Sequence, residues 1–155
     1  MEHVDILEYR TEHQPWFEQL NRSWIERHFN MEAIDFEVLQ HPEDHIISKG
    51  GSILMATYEN TVAGTVALKY SSPGVYEFTK MAVDEKYRGK KIGETLALAA
   101  ITKARQLGGR KIILYSNTVL EPAVMLYRKL GFIEVPVDGP YKRSNIKMEL
   151  NLGQL

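Results

Sequence analysis

The stretch Glu77–Ile101, EFTKMAVDEKYRGKKIGETLALAAI, contains the change of period that decides the fold. Up to Val83 the residues suit an extended strand. A short basic loop containing Gly89 follows, and a helix is predicted from near Lys91. Its apolar residues Ile92, Leu96, Ala99, Ala100 and Leu107 fall on one side, and Leu98 and Ile101 make a second apolar side. The first turn of any helix leaves backbone N–H groups without intrahelical partners, and the helix dipole adds partial positive charge there. Gly89 and Gly93 let a ligand approach the backbone, and Lys86, Arg88, Lys90 and Lys91 add positive charge. A di- or polyphosphate is the natural ligand of such a cradle. Taken alone, the loop also fits solvated surface. No GxxxxGK[ST] is present, and no GxGxxG follows the first strand, so a P-loop and a Rossmann site are both disfavoured.

Upstream, Val75–Val83 is preceded by the turn signal Ser71–Gly74. Thr61–Tyr70 and Ser52–Tyr58 read as strands joined by a tight Glu59-Asn60 turn. Before them come a strand over Val4–Tyr9 and a helix opened by Pro15 with Trp16, Phe17, Leu20 and Trp24 at helical spacing. A short helix over Asp35–Leu39 follows, then a turn from Pro42 to near Gly50. Downstream, Gly108-Gly109 closes the long helix and Lys111–Tyr115 reads as a buried strand. Pro122 lies in the first turn of a helix striped by Ala123, Leu126, Tyr127 and Leu130, with Gly131 as its cap. Phe132–Val135 and Asn145–Leu150 are the last predicted strands. The hairpins are antiparallel, while the β-α-β unit from Val75 through Tyr115 requires a parallel pair. The expectation is one mixed α/β domain over residues 1–155, with helices on both faces of the sheet. The early hairpins argue against a flavodoxin-like nucleotide domain.

The 155 residues carry a formal net charge of -1 and no cysteine. This balance argues against a nucleic-acid partner, and the lack of cysteine excludes disulfides, a thiolate metal site and a cysteine nucleophile. His41 and His45 could in principle share a metal, but they read as a polar helix start, and no HExxH occurs. No metal is expected. The acidic start of the chain does not resemble a secretory signal, and no run approaches the ~20 apolar residues of a membrane span, so a cytoplasmic location and no membrane partner are expected.

Arg88-Gly89-Lys90-Lys91-Ile92-Gly93 resembles the pyrophosphate signature Q/R-x-x-G-x-G/A of the GNAT superfamily, the acyl-CoA-dependent N-acyltransferases. Lys91 stands where the family usually has the middle glycine. Farther on, N-T-V-L-E-P-A-V-M-L-Y-R-K-L-G-F is similar to that family's second motif, with Asn117 at a strand end and Tyr127 on the following helix. The tail from Arg143 to Leu150 looks like the closing strand of small bacterial members.

The resemblance implies a mostly antiparallel sheet in which one parallel pair splays to admit acetyl-CoA as cosubstrate. It places Met81, Ala82 and Val83 along the pantetheine arm, Gly89 through Glu94 with Arg88 at the pyrophosphate (that is, Lys90, Lys91, Ile92 and Gly93 between), and Asn117 on the opposite wall. It implies transfer of an acetyl group to a primary amine of a small molecule or peptide. Such chemistry requires a proton acceptor for the amine, hydrogen-bond donors for the developing oxyanion, and a proton for the departing thiolate.

Tyr127 lies on an apolar stripe and by that alone reads as packing; the resemblance gives it the general-acid role. Glu77 is either an ordinary strand glutamate or the general base of one branch of the superfamily. Strand alternation puts it on one face with Thr79, Met81 and Val83 unless a bulge intervenes. Trp24, Phe29, Glu32 and Tyr141 are candidates for the acceptor pocket, because the early helices and last loop cover that side in the family. A homodimer is one open arrangement, as dimers are frequent among such relatives. The alternative to an enzyme is a CoA-binding sensor or interaction module of the same fold.

Overall fold

A computed structural model describes residues 3–138 and 143–153. Strand β1 (Val4–Glu8) leads to helices α1 (Gln14–His28) and α2 (Ala33–Gln40) and a wide helical turn at Glu43–Ile47. Three strands follow: β2 (Ser52–Tyr58), β3 (Thr61–Ser72) and β4 (Val75–Val83). Next come α3 (Ile92–Gln106), β5 (Lys111–Ser116), α4 (Glu121–Lys129), β6 (Ile133–Val135) and β7 (Ile146–Asn151). Glu59 and Asn60 both take left-handed backbone, with φ of 50° and 66°, which suits a two-residue hairpin whose twist matches its strands.

The seven strands form one sheet in the order β1-β2-β3-β4-β5-β7-β6. Every neighbouring pair is antiparallel except β4 with β5. The chain thus has the mixed α/β fold expected of it, with β7 inserted between β5 and β6.

Alternation along β2 divides the core into two layers. Leu54 and Ala56 join α3, where Ile92, Leu96, Ala97, Ala100 and Ala104 are buried. Ile53 and Met55 point the other way, to Phe17 of α1, Leu39 of α2 and Ile46. Helices therefore cover both faces. Two helical stripes differ from the periodic reading. Trp16 is half exposed, and α1 instead buries Phe17, Asn21 and Ile25. Asn21 is tolerated there because its amide donates to the Phe17 carbonyl at 2.9 Å and accepts from the Trp24 indole at 3.3 Å. On α3, Leu98 is half exposed, so the second apolar side reduces to Ile101 and its neighbours. Among the described residues, no helix is long and apolar enough to cross a membrane.

The approach of α3 to the sheet depends on Gly64 of β3. A Cβ there would lie 3.0 Å from Leu96 Cδ1, 3.1 Å from the Ala82 carbonyl oxygen and 3.2 Å from Ile92 Cγ2. Gly64→Val should therefore overpack this contact and cost about 1–3 kcal/mol. A lowered urea midpoint with an unchanged slope is the expected result.

Candidate active site

The parallel pairing of β4 with β5 is short. It runs from Val75–Lys111 to Glu77–Ile113 and then stops. Beyond Glu77 the two strands diverge, while β4 continues to pair with β3 and β5 with β7. The gap opens a cleft of about 400 Å³, with α1 on one flank and α4 on the other. That volume is typical of a small-molecule site.

A bulge shapes the β4 wall. Thr65 pairs with Ala82 and Ala67 with Thr79, so Lys80 and Met81 together oppose the single residue Val66. Lys80 holds a left-handed φ of 55°. The bulge reverses the side-chain parity. Tyr76 and Phe78 face α3 before it; Met81 and Val83 do so after it, packing near Gly93. Glu77 consequently does not share a face with Met81 and Val83. It stands on the α1 side, nearly buried, at the point where the strands part.

At the open end of β4 the chain turns through Glu85–Tyr87 and enters α3. Gly89 has φ of 80° with empty space around it, and Lys91, at the helix cap, has φ of 59°. The Thr95 N–H bonds to the Lys91 carbonyl at 3.0 Å, so the N–H groups of Ile92, Gly93 and Glu94 precede the helical ladder. The Ile92 side chain is buried, anchoring this turn to the core. Arg88 is largely exposed and pairs with Glu85 at 3.1 Å, and Glu85 also pairs with Arg27 of α1. The Lys90 ammonium lies 5.3 Å from the Tyr58 ring centre, and Glu94 pairs with Lys129 at 3.0 Å.

On the opposite wall, Asn117 donates to the Arg143 carbonyl at 2.8 Å and accepts from the Val119 N–H at 3.0 Å. Its amide thus pins the last loop to the end of β5. Tyr127 lines the cleft while packing edge-on against Phe78 and tilted against Phe132, with ring centres 5.6 and 5.8 Å away. Burial pushes its phenol well above the usual range, so it stays protonated at neutral pH. Trp24 and Phe29 line the α1 flank and meet edge-on at 6.3 Å. Glu32 is not among the lining residues; it lies 3.5 Å from Arg143, which is. Tyr141 lies outside the described residues.

A charged cluster at the α1 side has no counterpart in the sequence reading. Asp35 of α2 is buried and receives both guanidinium nitrogens of Arg143, one of them at 2.8 Å. The Glu32 N–H donates to it as well, at 2.8 Å. Lys80 Nζ stands 3.9 Å away. Burial alone would raise the Asp35 carboxyl, but the Arg143 and Glu32 hydrogen bonds, with the charges of Arg143 and Lys80, hold it below the ordinary range. Burial lowers the Lys80 ammonium, and Arg143 adds to that; Asp35 and Glu77 oppose it.

An Acetyltransferase (GNAT) family model matches residues 8–132. The chain belongs to the GNAT acetyltransferase family. The mycothiol acetyltransferase of Corynebacterium aurimucosum is 32% identical over 140 residues, covering 84% of this chain and 43% of that one. The chain thus spans less than half the length of the mycothiol acetyltransferases it matches. A GNAT-family acetyltransferase from Staphylococcus aureus Mu50 superposes with a TM-score of 0.89 at 21% identity, covering 97% and 100% of the two chains. The structure of yncA from Salmonella typhimurium with its cofactor acetyl-CoA gives 0.80 at 17% identity, covering 98% and 95%.

Removal of the Asp35 carboxylate would take from the largely buried Lys80 its counter-ion and from Arg143 the acceptor of both its guanidinium nitrogens. Asp35→Ala should cost about 3–5 kcal/mol in denaturant unfolding. Because the folded-state pKa is depressed, the carboxylate's contribution is complete above its unfolded value, about 3.9, and is lost as pH falls through the folded value. Asp35→Asn should accordingly show a shallower loss of stability than the parent as pH falls below about 4.

Proposed function

We propose that the protein transfers an acetyl group from acetyl-CoA to a primary amine, with both substrates bound together in the β4–β5 cleft. The carrying observation is that the parallel pair opens after Glu77 and that the opened strand runs directly into the first turn of α3. The kinship to a structure holding acetyl-CoA supports the same reading.

The residues present fit that cosubstrate. Past Glu77, the β4 edge facing β5 has no strand partner among the described residues, so Met81 through Val83 can pair with the pantetheine amides as an added strand would. The N–H groups of Ile92, Gly93 and Glu94 suit the pyrophosphate, and Gly89 and Gly93 leave room for it. Arg88 adds charge from the rim. Ile92 contributes backbone alone, since its side chain is in the core. Asn117 acts by holding the far wall as much as by contact.

When bound, acetyl-CoA supplies an activated acyl group. The remaining steps belong to side chains on opposite faces of the sheet. Glu77, on the α1 face, accepts a proton from the amine as the nitrogen–carbon bond forms. Tyr127, on the α3–α4 face, gives a proton to sulfur as the carbon–sulfur bond breaks. Solvent then returns the proton from Glu77 to Tyr127. Trp24 and Phe29 form the apolar part of the acceptor wall.

Two measurements test this. A Cβ on Gly93 would already lie 3.4 Å from Met81 Cε and 3.9 Å from Val83 Cγ2. Gly93→Val should therefore crowd the helix start and weaken acetyl-CoA binding ten-fold or more, about 1.4 kcal/mol, by calorimetry. Unchanged affinity would remove the site from this turn. Tyr127→Phe keeps the ring between Phe78 and Phe132 but removes the acidic proton. Turnover should drop by about 10²–10⁴-fold with acetyl-CoA affinity retained; parental turnover in a step limited by chemistry would reduce Tyr127 to packing.

A further inference from the structure

Among the described residues, the Lys80 ammonium has no hydrogen-bond partner, and it lies in a largely buried position. Its side chain is 13% exposed, and its ion pair with Asp35 is long at 3.9 Å. Asp35 has little left to offer, since both of its oxygens are taken by Arg143 and one also accepts the Glu32 N–H. Among the described residues, no fully buried side-chain nitrogen or oxygen lacks a partner, so the Lys80 nitrogen is not sealed in protein. It opens on the cleft that the residue lines. The backbone there is committed to this arrangement, with a left-handed φ at a non-glycine residue.

Three donor hydrogens on a partly desolvated cation call for an acceptor within hydrogen-bond distance that the described residues do not supply. Glu77 lies three residues earlier, at most about 10 Å along the strand, and on the same side of the sheet. The α1 side of the cleft therefore carries both a carboxylate and an ammonium. Of the arginines lining the cleft, Arg143 is committed to Asp35, and Arg27 and Arg88 are both paired with Glu85.

We infer, resting on the acetyltransferase reading, that the acceptor is zwitterionic: an α-amino acid or a close analogue whose carboxylate binds Lys80 while its amine is directed to Glu77. A simple alkylamine would leave the Lys80 ammonium without a partner. The acid fills its hydrogen-bonding positions with a charge-assisted contact and at the same time fixes the amine's orientation in the gap. The buried, half-compensated cation is itself disfavoured in the free protein, and the incoming carboxylate relieves that cost. Trp24 and Phe29, on the facing wall, leave an apolar surface for the rest of the acceptor.

The test uses the full chain, acetyl-CoA and free-thiol release. Each protein amino acid is compared with its decarboxylated amine, phenylalanine with phenethylamine for example. The acids should have the higher kcat/KM. Lys80→Gln should reduce that preference by about ten-fold or more through KM, and Lys80→Arg should retain most of it. Amines used as well as their parent acids would overturn the inference, as would a Lys80→Gln variant that loses kcat equally on both. Calorimetry with acetyl-CoA separates this from a deeper failure. Bound acetyl-CoA with no thiol released from any acceptor would overturn the acetyltransferase reading and this inference together.

Discussion

The β4 bulge at Lys80 and Met81 is the constraint on which the rest of the site depends. A regular strand would place Glu77, Thr79, Met81 and Val83 on one face. The extra residue turns Met81 and Val83 toward α3 and leaves Glu77 and Lys80 on the α1 side. It lies just past the end of the β4–β5 ladder at Glu77. The edge that β4 exposes past Glu77 would ordinarily be an aggregation risk. Here it forms a wall of an internal cleft, flanked by α1 and α4, so it is accessible to a ligand rather than to a second sheet.

Holding a lysine in left-handed backbone costs of order 1 kcal/mol, and such strain persists only where the surroundings over-determine it. Those surroundings are ionic and long in range. Asp35 and Arg143 are 108 residues apart, and their bidentate pair ties the first part of the chain to the last loop beside Lys80. Asn117 holds the same loop through the Arg143 carbonyl. Asp35 of α2, Asn117 at the end of β5, Arg143 and the bulge thus form one partly buried polar unit. Its value lies in position more than in net stability, because desolvation offsets much of the Coulomb gain of any buried ion pair.

Much of the fold was legible in the sequence because its signals are local. Glu59-Asn60 requires a tight hairpin, and the switch from strand to helix period between Val83 and Ile92 requires a crossover to a parallel neighbour. The bulge was not legible. Its signature would be a glycine or asparagine at the left-handed position, and Lys80 carries no such mark. Trp16 and Asn21 show a related limit. Hydrophobic spacing turns the tryptophan inward, yet α1 buries the asparagine, whose amide finds the Phe17 carbonyl and the Trp24 indole. Lys91 is the converse case. The family pattern has glycine there, and the structure supplies the reason in a φ of 59° at the helix cap. The lysine keeps the backbone N–H and adopts the turn at modest strain.

The two halves of the cleft are built from different parts of the chain, and this explains why the family can be read from sequence while the acceptor cannot. The candidate cosubstrate half is mainly backbone: the unpaired edge of β4 and the first turn of α3. Backbone sites constrain residue type only where a side chain would intrude, so they leave glycines at fixed spacing that survive divergence as a motif. The candidate acceptor half is made of side chains drawn from α1, the β4 bulge and the segment before β7. None of these is fixed by the glycine spacing, and their charges are balanced by partners far away in sequence. A change at Lys80 or Trp24 could alter what binds without disturbing the cradle at Gly93. Specificity in such a fold can therefore change without disturbing the candidate cosubstrate turn, and it has to be read from the burial and pairing of individual charges.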